Sequence, residues 1–165
     1  MHVIPFLLKE LEQEGNTTRK FFKLLKPEDF QWKPHEKSMS IKELARHIAE
    51  LPAWIDMAIN TNGIDFDKMP YEPKQANNSD DLLNILEDSL KKGTDALLSV
   101  RNEDDLLETW TIQKGEQIIA AMTKFESVRV SYSQTTHHRA QLGVYLRLLN
   151  IPVPQSYGPT ADEPF

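Results

Sequence analysis

The sequence has no cysteine. That excludes disulfides, thiolate metal ligands and a cysteine nucleophile. No run approaches the ~18 apolar residues that cross a bilayer as a helix. The first residues, MHVIPFLLKELEQE, turn acidic after one short apolar patch. They lack the basic start, long apolar core and small-residue cleavage site of a secretory signal. Nor is there a Lys/Arg cluster of the kind that tracks phosphates. The net charge of −6 opposes a nucleic-acid partner. Internal repeats, low-complexity blocks and linkers are missing as well. What remains has the make-up of one globular domain over residues 1–165, with 39% hydrophobic and 27% charged residues, expected in the cytoplasm and with no membrane partner.

Helical periodicity dominates. Ile4, Leu8, Leu11, Thr18, Phe22 and Leu25 recur at alternating three- and four-residue steps, with Gly15 in the remaining slot, and Pro27 marks the end of this first helix. Gly15 and Thr18 are small enough to admit a close neighbour. The stretch DFQWKPHEKSMS reads as a structured loop with Trp32 as its anchor. Ser40 and Glu43 have capping-box spacing, which starts a second helix at Ile41 that runs to Asn60 with a kink at Pro52. Residues 61–78 carry turn residues and read as a loop. Ser79 followed by Asp80-Asp81 starts a third helix over about 80–100. Within the next connection, TWTIQKGEQII has the pattern of a short hairpin about Lys114-Gly115. A fourth helix runs from Thr123 to Leu149, and a proline-rich tail follows. Four long amphipathic helices predict an all-α four-helix bundle with long connections and an extended tail.

The fourth helix carries an unusual face. At ~100° per residue, Ser127, Ser131, Gln134, His138, Gln141 and Tyr145 fall within roughly 80° of one another. An ordinary solvated face would carry Lys and Glu; neutral ligand-type side chains suggest a face turned to a wettable cavity. Gln134 and His138 lie one turn apart and can offer two ligands to one metal. His137 is ~100° away from His138 and does not belong to this column. A third ligand must come from another helix, and His47, at the margin of the second helix's apolar stripe near Leu51 and Trp54, is the candidate. Spacing alone leaves two readings open: metal ligands, or satisfied structural side chains.

Three stretches resemble the DinB/YfiT-like family of helical-bundle, damage-inducible metalloenzymes. They are WKPHEKSMSIKELARHIAE, HHRAQLGVYLRLLNIPVP and SYGPTADEPF, and with the helix spacing they cover nearly the whole chain. The resemblance implies a four-helix bundle holding a divalent metal, nickel or zinc, on three histidines: one on the second helix and two spaced i, i+4 on the fourth. Carried over, these are His47, the position of Gln134, and His138. Gln134 departs from the pattern, and Ala140 replaces the glycine of HHRGQ, a change expected to widen helix spacing slightly. An amide oxygen is a poorer partner than imidazole for either metal.

Two functions follow from the resemblance. The first is a metal-dependent enzyme acting on a small molecule, of the thiol S-transferase type using a low-molecular-weight thiol, or hydrolase-like. In that reading Trp54 and Tyr145 line the pocket, and Gln141 orients a ligand from behind. No separate base or nucleophile is identifiable. The second is a non-catalytic bundle whose degenerate site leaves a small-molecule or protein-binding module. Arg139 reads as an ion-pair partner for a neighbouring helix or the acidic tail. Asp104-Asp105 reads as solvated loop charge. Trp32, Trp54 and Trp110 read as anchors, and Met57 and Met69 as residues without special role. Related bundles pair, so a homodimer is an expected state.

Overall fold

The computed structural model describes residues 2–69 and 72–164. Pro70 and Tyr71 of the expected 61–78 connection, and Phe165 of the expected tail, lie outside them. Helix α1 spans Ile4–Phe22, shorter than Pro27 suggested, and its inward stripe buries Leu7, Leu11, Thr18, Phe21 and Phe22. A Cβ on Gly15 would come within 2.8 Å of Leu90 Cδ1, so the small residue does let its neighbour close in. The capping box at Ser40 and Glu43 forms as spaced and starts α2 at Ile41–Glu50. Pro52 then falls in a tight 3-10 turn, Leu51–Ala53, after which α3 continues as Trp54–Asn60. The expected kinked helix is therefore two helices meeting at a break. Next, α4 spans Ser79–Ser99, but its cap is Asn78, whose side chain accepts from Asp81 N. The Ser79 hydroxyl instead donates to the Phe22 carbonyl at the end of α1, at 2.6 Å. Finally α5, Lys124–Leu148, starts at a second capping box, Thr123 with Glu126.

A strictly all-α description does not hold. A three-stranded sheet in the order β1-β2-β3 joins the helices. Strand β1, Gly63–Asp65, lies in the stretch expected to be loop and pairs in parallel with β2, Thr109–Lys114. Strand β3, Gln117–Thr123, pairs antiparallel with β2. The hairpin turns where Lys114-Gly115 predicts, with Gly115 at φ +58°, a backbone state that favours glycine. β1 is three residues long and has no hairpin partner in sequence, so it leaves no period-2 signal to read. Asp65 ties the sheet together: its Oδ1 accepts from Gly115 N at 2.9 Å and Asp67 N at 3.1 Å. Trp110 is buried and donates from Nε1 to Thr61 Oγ1 at 3.1 Å.

The core lies between α1, α2, α3, α4 and α5, with Ile41, Leu44, Ile48, Leu82, Leu97, Val128, Leu142 and Leu146 shut off from solvent. One charged pair is buried with them. Arg139 of α5 is 2% exposed, and its Nη2 lies 2.6 Å from Glu14 Oε2 on α1. That contact is an ion pair rather than an aligned hydrogen bond. Arg139 also donates to the Glu14 carbonyl and to Thr18 Oγ1, both at 3.2 Å. Tyr157 of the tail donates to Glu14 Oε1 at 2.5 Å. Arg139 is thus bound to both a neighbouring helix and the tail. Ala140 is exposed on the tail side of α5, so its methyl separates no packed helices.

Removing one member of a buried pair leaves an uncompensated charge, at a cost of about 3–5 kcal/mol, whereas removing both is far milder. Urea unfolding of Glu14→Ala is expected to show a loss of that size, with much of it recovered in the Glu14→Ala/Arg139→Met double variant. The backbone amides of Gly115 and Asp67 hold Asp65 at about 2, below the usual carboxylate value. A depressed carboxylate stabilises the fold fully above its unfolded value near 4 and stops doing so as pH falls through the folded value. The stability gap between wild type and Asp65→Asn, measured by denaturant midpoints, is therefore expected to be constant above about pH 5 and to narrow from about pH 4 toward pH 2.

Candidate metal and ligand site

His47 sits in the last turn of α2, just before the break that turns the chain into α3. His138 sits on α5, which packs across both helices. The two imidazoles come from different helices and meet: their ring centres are 4.6 Å apart at 80°. Trp54, the first residue of α3, stands edge-on to His47 at 5.7 Å. Burial lowers the His47 pKa below the ordinary imidazole value, and the neighbouring His138 adds to the effect. Both effects favour the neutral imidazole, the form with a lone pair to offer.

Gln141 stands behind the pair. Its Oε1 lies 2.8 Å from His138 Nδ1, and its Nε2 lies 3.2 Å from His137 Nε2. An amide oxygen accepts only, so in this orientation it pairs with the Nδ1–H tautomer of His138, the one whose Nε2 keeps a lone pair. This is the arrangement by which an outer hydrogen bond orients a metal-ligating histidine. His137 itself is exposed and touches this network from outside.

The geometry can be checked against a shared ion. A metal–nitrogen bond of about 2.1 Å puts each ring centre about 3.2 Å from the metal, so two ligands at a tetrahedral angle have ring centres about 5 Å apart. The observed 4.6 Å is shorter, so one ion shared by both rings would sit at an angle narrower than tetrahedral. The third position is weaker. Gln134 is half-buried one turn before His138, and among the described residues no hydrogen bond fixes its amide. Among the described residues no group of three or more His, Cys, Asp or Glu side chains could hold a metal ion. The donors present thus fit an ion held by two imidazoles, with an amide oxygen or water completing the shell.

The sequence model of the DinB family matches residues 3–164. The chain belongs to the DinB family. A DinB-like protein from Bacillus subtilis has a similar structure, with a TM-score of 0.70 at 19% identity over 91% of this chain and 96% of that one. A DinB-like protein from Bacillus cereus gives 0.70 at 18% identity, over 92% and 95%. At these identities the likeness is one of fold. No curated protein matches this chain.

Beside the imidazole pair this DinB chain has a cavity of about 780 Å³, lined by Met39, Glu43, Arg46, His47, Trp54, Met57, Ile64, Phe66, Met69 and Glu72. Trp54 lines it, as expected. Tyr145 does not: it is buried in the core, edge-on to Trp32 at 5.5 Å. Gln134, His138 and Gln141 are not in its lining either; of the two imidazoles only His47 lines it. Part of the polar column is structural, because Ser131 Oγ donates to the Leu51 carbonyl at the α2–α3 break, at 2.7 Å. Met57 and Met69, read as residues without a role, both face the cavity. Met57 could have been found, since it lies three residues after Trp54 on one helix and so shares its face. Ile64, Phe66 and Met69 come from β1 and the segment after it, where no periodicity marks an inward side.

A histidine released from its Nδ1 acceptor is free to change tautomer. In long-range ¹⁵N–¹H correlation spectra, His138 is expected as the Nδ1–H form in wild type and as a mixture or the Nε2–H form in Gln141→Leu.

Proposed function

We propose that this DinB-family protein is a divalent-metal-dependent enzyme acting on a small molecule, with His47 and His138 as imidazole ligands and the Gln134 amide beside them. The observation that supports it is the approach of two imidazoles, 4.6 Å between ring centres, from separate helices next to a cavity of ligand size. A zinc or nickel ion there would polarise a water or a thiol, the chemistry of a thiol S-transferase or a hydrolase. The protein's own groups do the rest. Gln141 holds the His138 ring through Nδ1, burial favours the uncharged form of His47, and Trp54 walls the ligand side. Gln134 makes the site weaker than three histidines would.

Elemental analysis of protein purified without a nickel column tests this. The expected result is about one zinc or nickel per chain, lost in His47→Ala and in His138→Ala and retained more tightly in Gln134→His. Wild-type protein that neither carries metal nor binds added zinc would sink the enzyme reading. The second reading, a non-catalytic small-molecule or protein-binding bundle, is favoured by the lack of a third His, Cys, Asp or Glu donor among the described residues. It expects metal-free wild type and metal uptake only after Gln134→His.

A further inference from the structure

Arg46 lines the cavity from α2, one residue before His47. It is half-buried, and its Nε is out of reach of solvent with no hydrogen-bond partner. Among the described residues no ion pair involves it. The Ser40 hydrogen bonds lower the pKa of Glu43, one turn before Arg46, and the Arg46 charge lies close enough to add to the effect. Glu43 turns its Oε2 to Ser40 N at 2.7 Å, completing the capping box. Glu50, one turn beyond Arg46, accepts from Lys74 N at 3.4 Å. Glu72 is exposed in the cavity lining. The Arg46 Nε is sealed from solvent, so a ligand in the cavity would meet the guanidinium through its other nitrogens, a fork that a planar carboxylate fits.

The rest of the lining sets the body of the ligand. Trp54, Met57, Ile64, Phe66 and Met69 offer aromatic, aliphatic and thioether surface and no hydrogen-bonding group except the indole N–H. Phe66 and Met69 are more than half exposed, at 55% and 53%, so this apolar wall is open to an incoming molecule. A doubly charged head group is disfavoured, because Glu43 and Glu72 line the same cavity and Arg46 is the single Lys or Arg among its lining residues.

We propose that the cavity binds a small carboxylic acid with an apolar body, its carboxylate on the Arg46 guanidinium and its body against Trp54 and Met57. This names the ligand class of the site proposed above. Where the reacting end lies rests on that reading, but the carboxylate contact requires no metal.

The test uses the full chain after chelator treatment, so that a carboxylate cannot bind through an ion. Three matched probes are titrated by calorimetry: 4-phenylbutyrate, 4-phenylbutan-1-ol and 3-phenylpropyl phosphate. In wild type the carboxylate is expected to bind about 10- to 100-fold more tightly than the alcohol, the effect of one charge-assisted contact, and more tightly than the phosphate. Arg46→Met should remove that preference while leaving alcohol affinity nearly unchanged, and Arg46→Lys should retain part of it. His47→Ala should keep it, which separates this inference from the metal assignment. Equal binding of carboxylate and alcohol by wild type overturns the proposal without reference to any variant. So does a preference that survives Arg46→Met, or tighter binding of the phosphate.

Discussion

Arg139 fixes the heading of α5. Its guanidinium is shut away from water, and Glu14, Thr18 and Tyr157 surround it from α1 and the tail. Neighbouring residues on a helix point ~100° apart, so holding Arg139 against α1 sends His138 toward α2 and α3. A small rotation of α5 about its axis would leave a buried charge without its counterion, which is the most expensive rearrangement this fold offers. The meeting of His47 and His138 is in this sense a by-product of where one buried ion pair sits. Tyr157 adds a tether, since its hydroxyl reaches both members of that pair.

The second half of the frame is the interruption between α2 and α3. Proline cannot donate in a helix, and the Leu51–Ala53 turn closes through the Trp54 amide onto the Leu51 carbonyl, which keeps a second lone pair. Ser131 of α5 takes it. The break and α5 are thereby stitched at one point, and His47 and Trp54 are carried on either side of it, facing each other. A continuous helix would put them on nearly the same face, seven residues and about 10 Å apart along the axis, without the change of direction that brings them together at this place.

Much of this was legible in the chain itself. The start of α2 at Ser40 and Glu43 and the end of α3 at Asn60 follow from capping chemistry and periodicity, and His47 and His138 stood out because imidazoles are rare and theirs lay on predicted inward faces. Arg139 was readable as an ion-pair partner because a long cation on an inward helix face needs one. Three things were not legible. Asn78 competes with Ser79 as a cap, and only the Phe22 carbonyl, distant in sequence, decides between them. Strand β1 exists through its pairing with β2, a contact nearly fifty residues away in sequence that local pattern does not carry. Tyr145 shares a helical face with His138, yet lies deeper in the bundle, where Trp32 covers it. Angular position on a helix says which way a side chain points, and says nothing of what waits there.

The cavity's two sides have different origins. His47 and Arg46 belong to a helix locked by the core, whereas Ile64, Phe66 and Met69 belong to a short edge strand and the segment after it, held to the remaining sheet through Asp65. Substitutions in that segment can reshape the pocket's rim while the chemical groups stay put. A scaffold so divided lets one reaction centre be inherited unchanged and fitted to new molecules by drift in a handful of side chains, most of them already bathed in solvent.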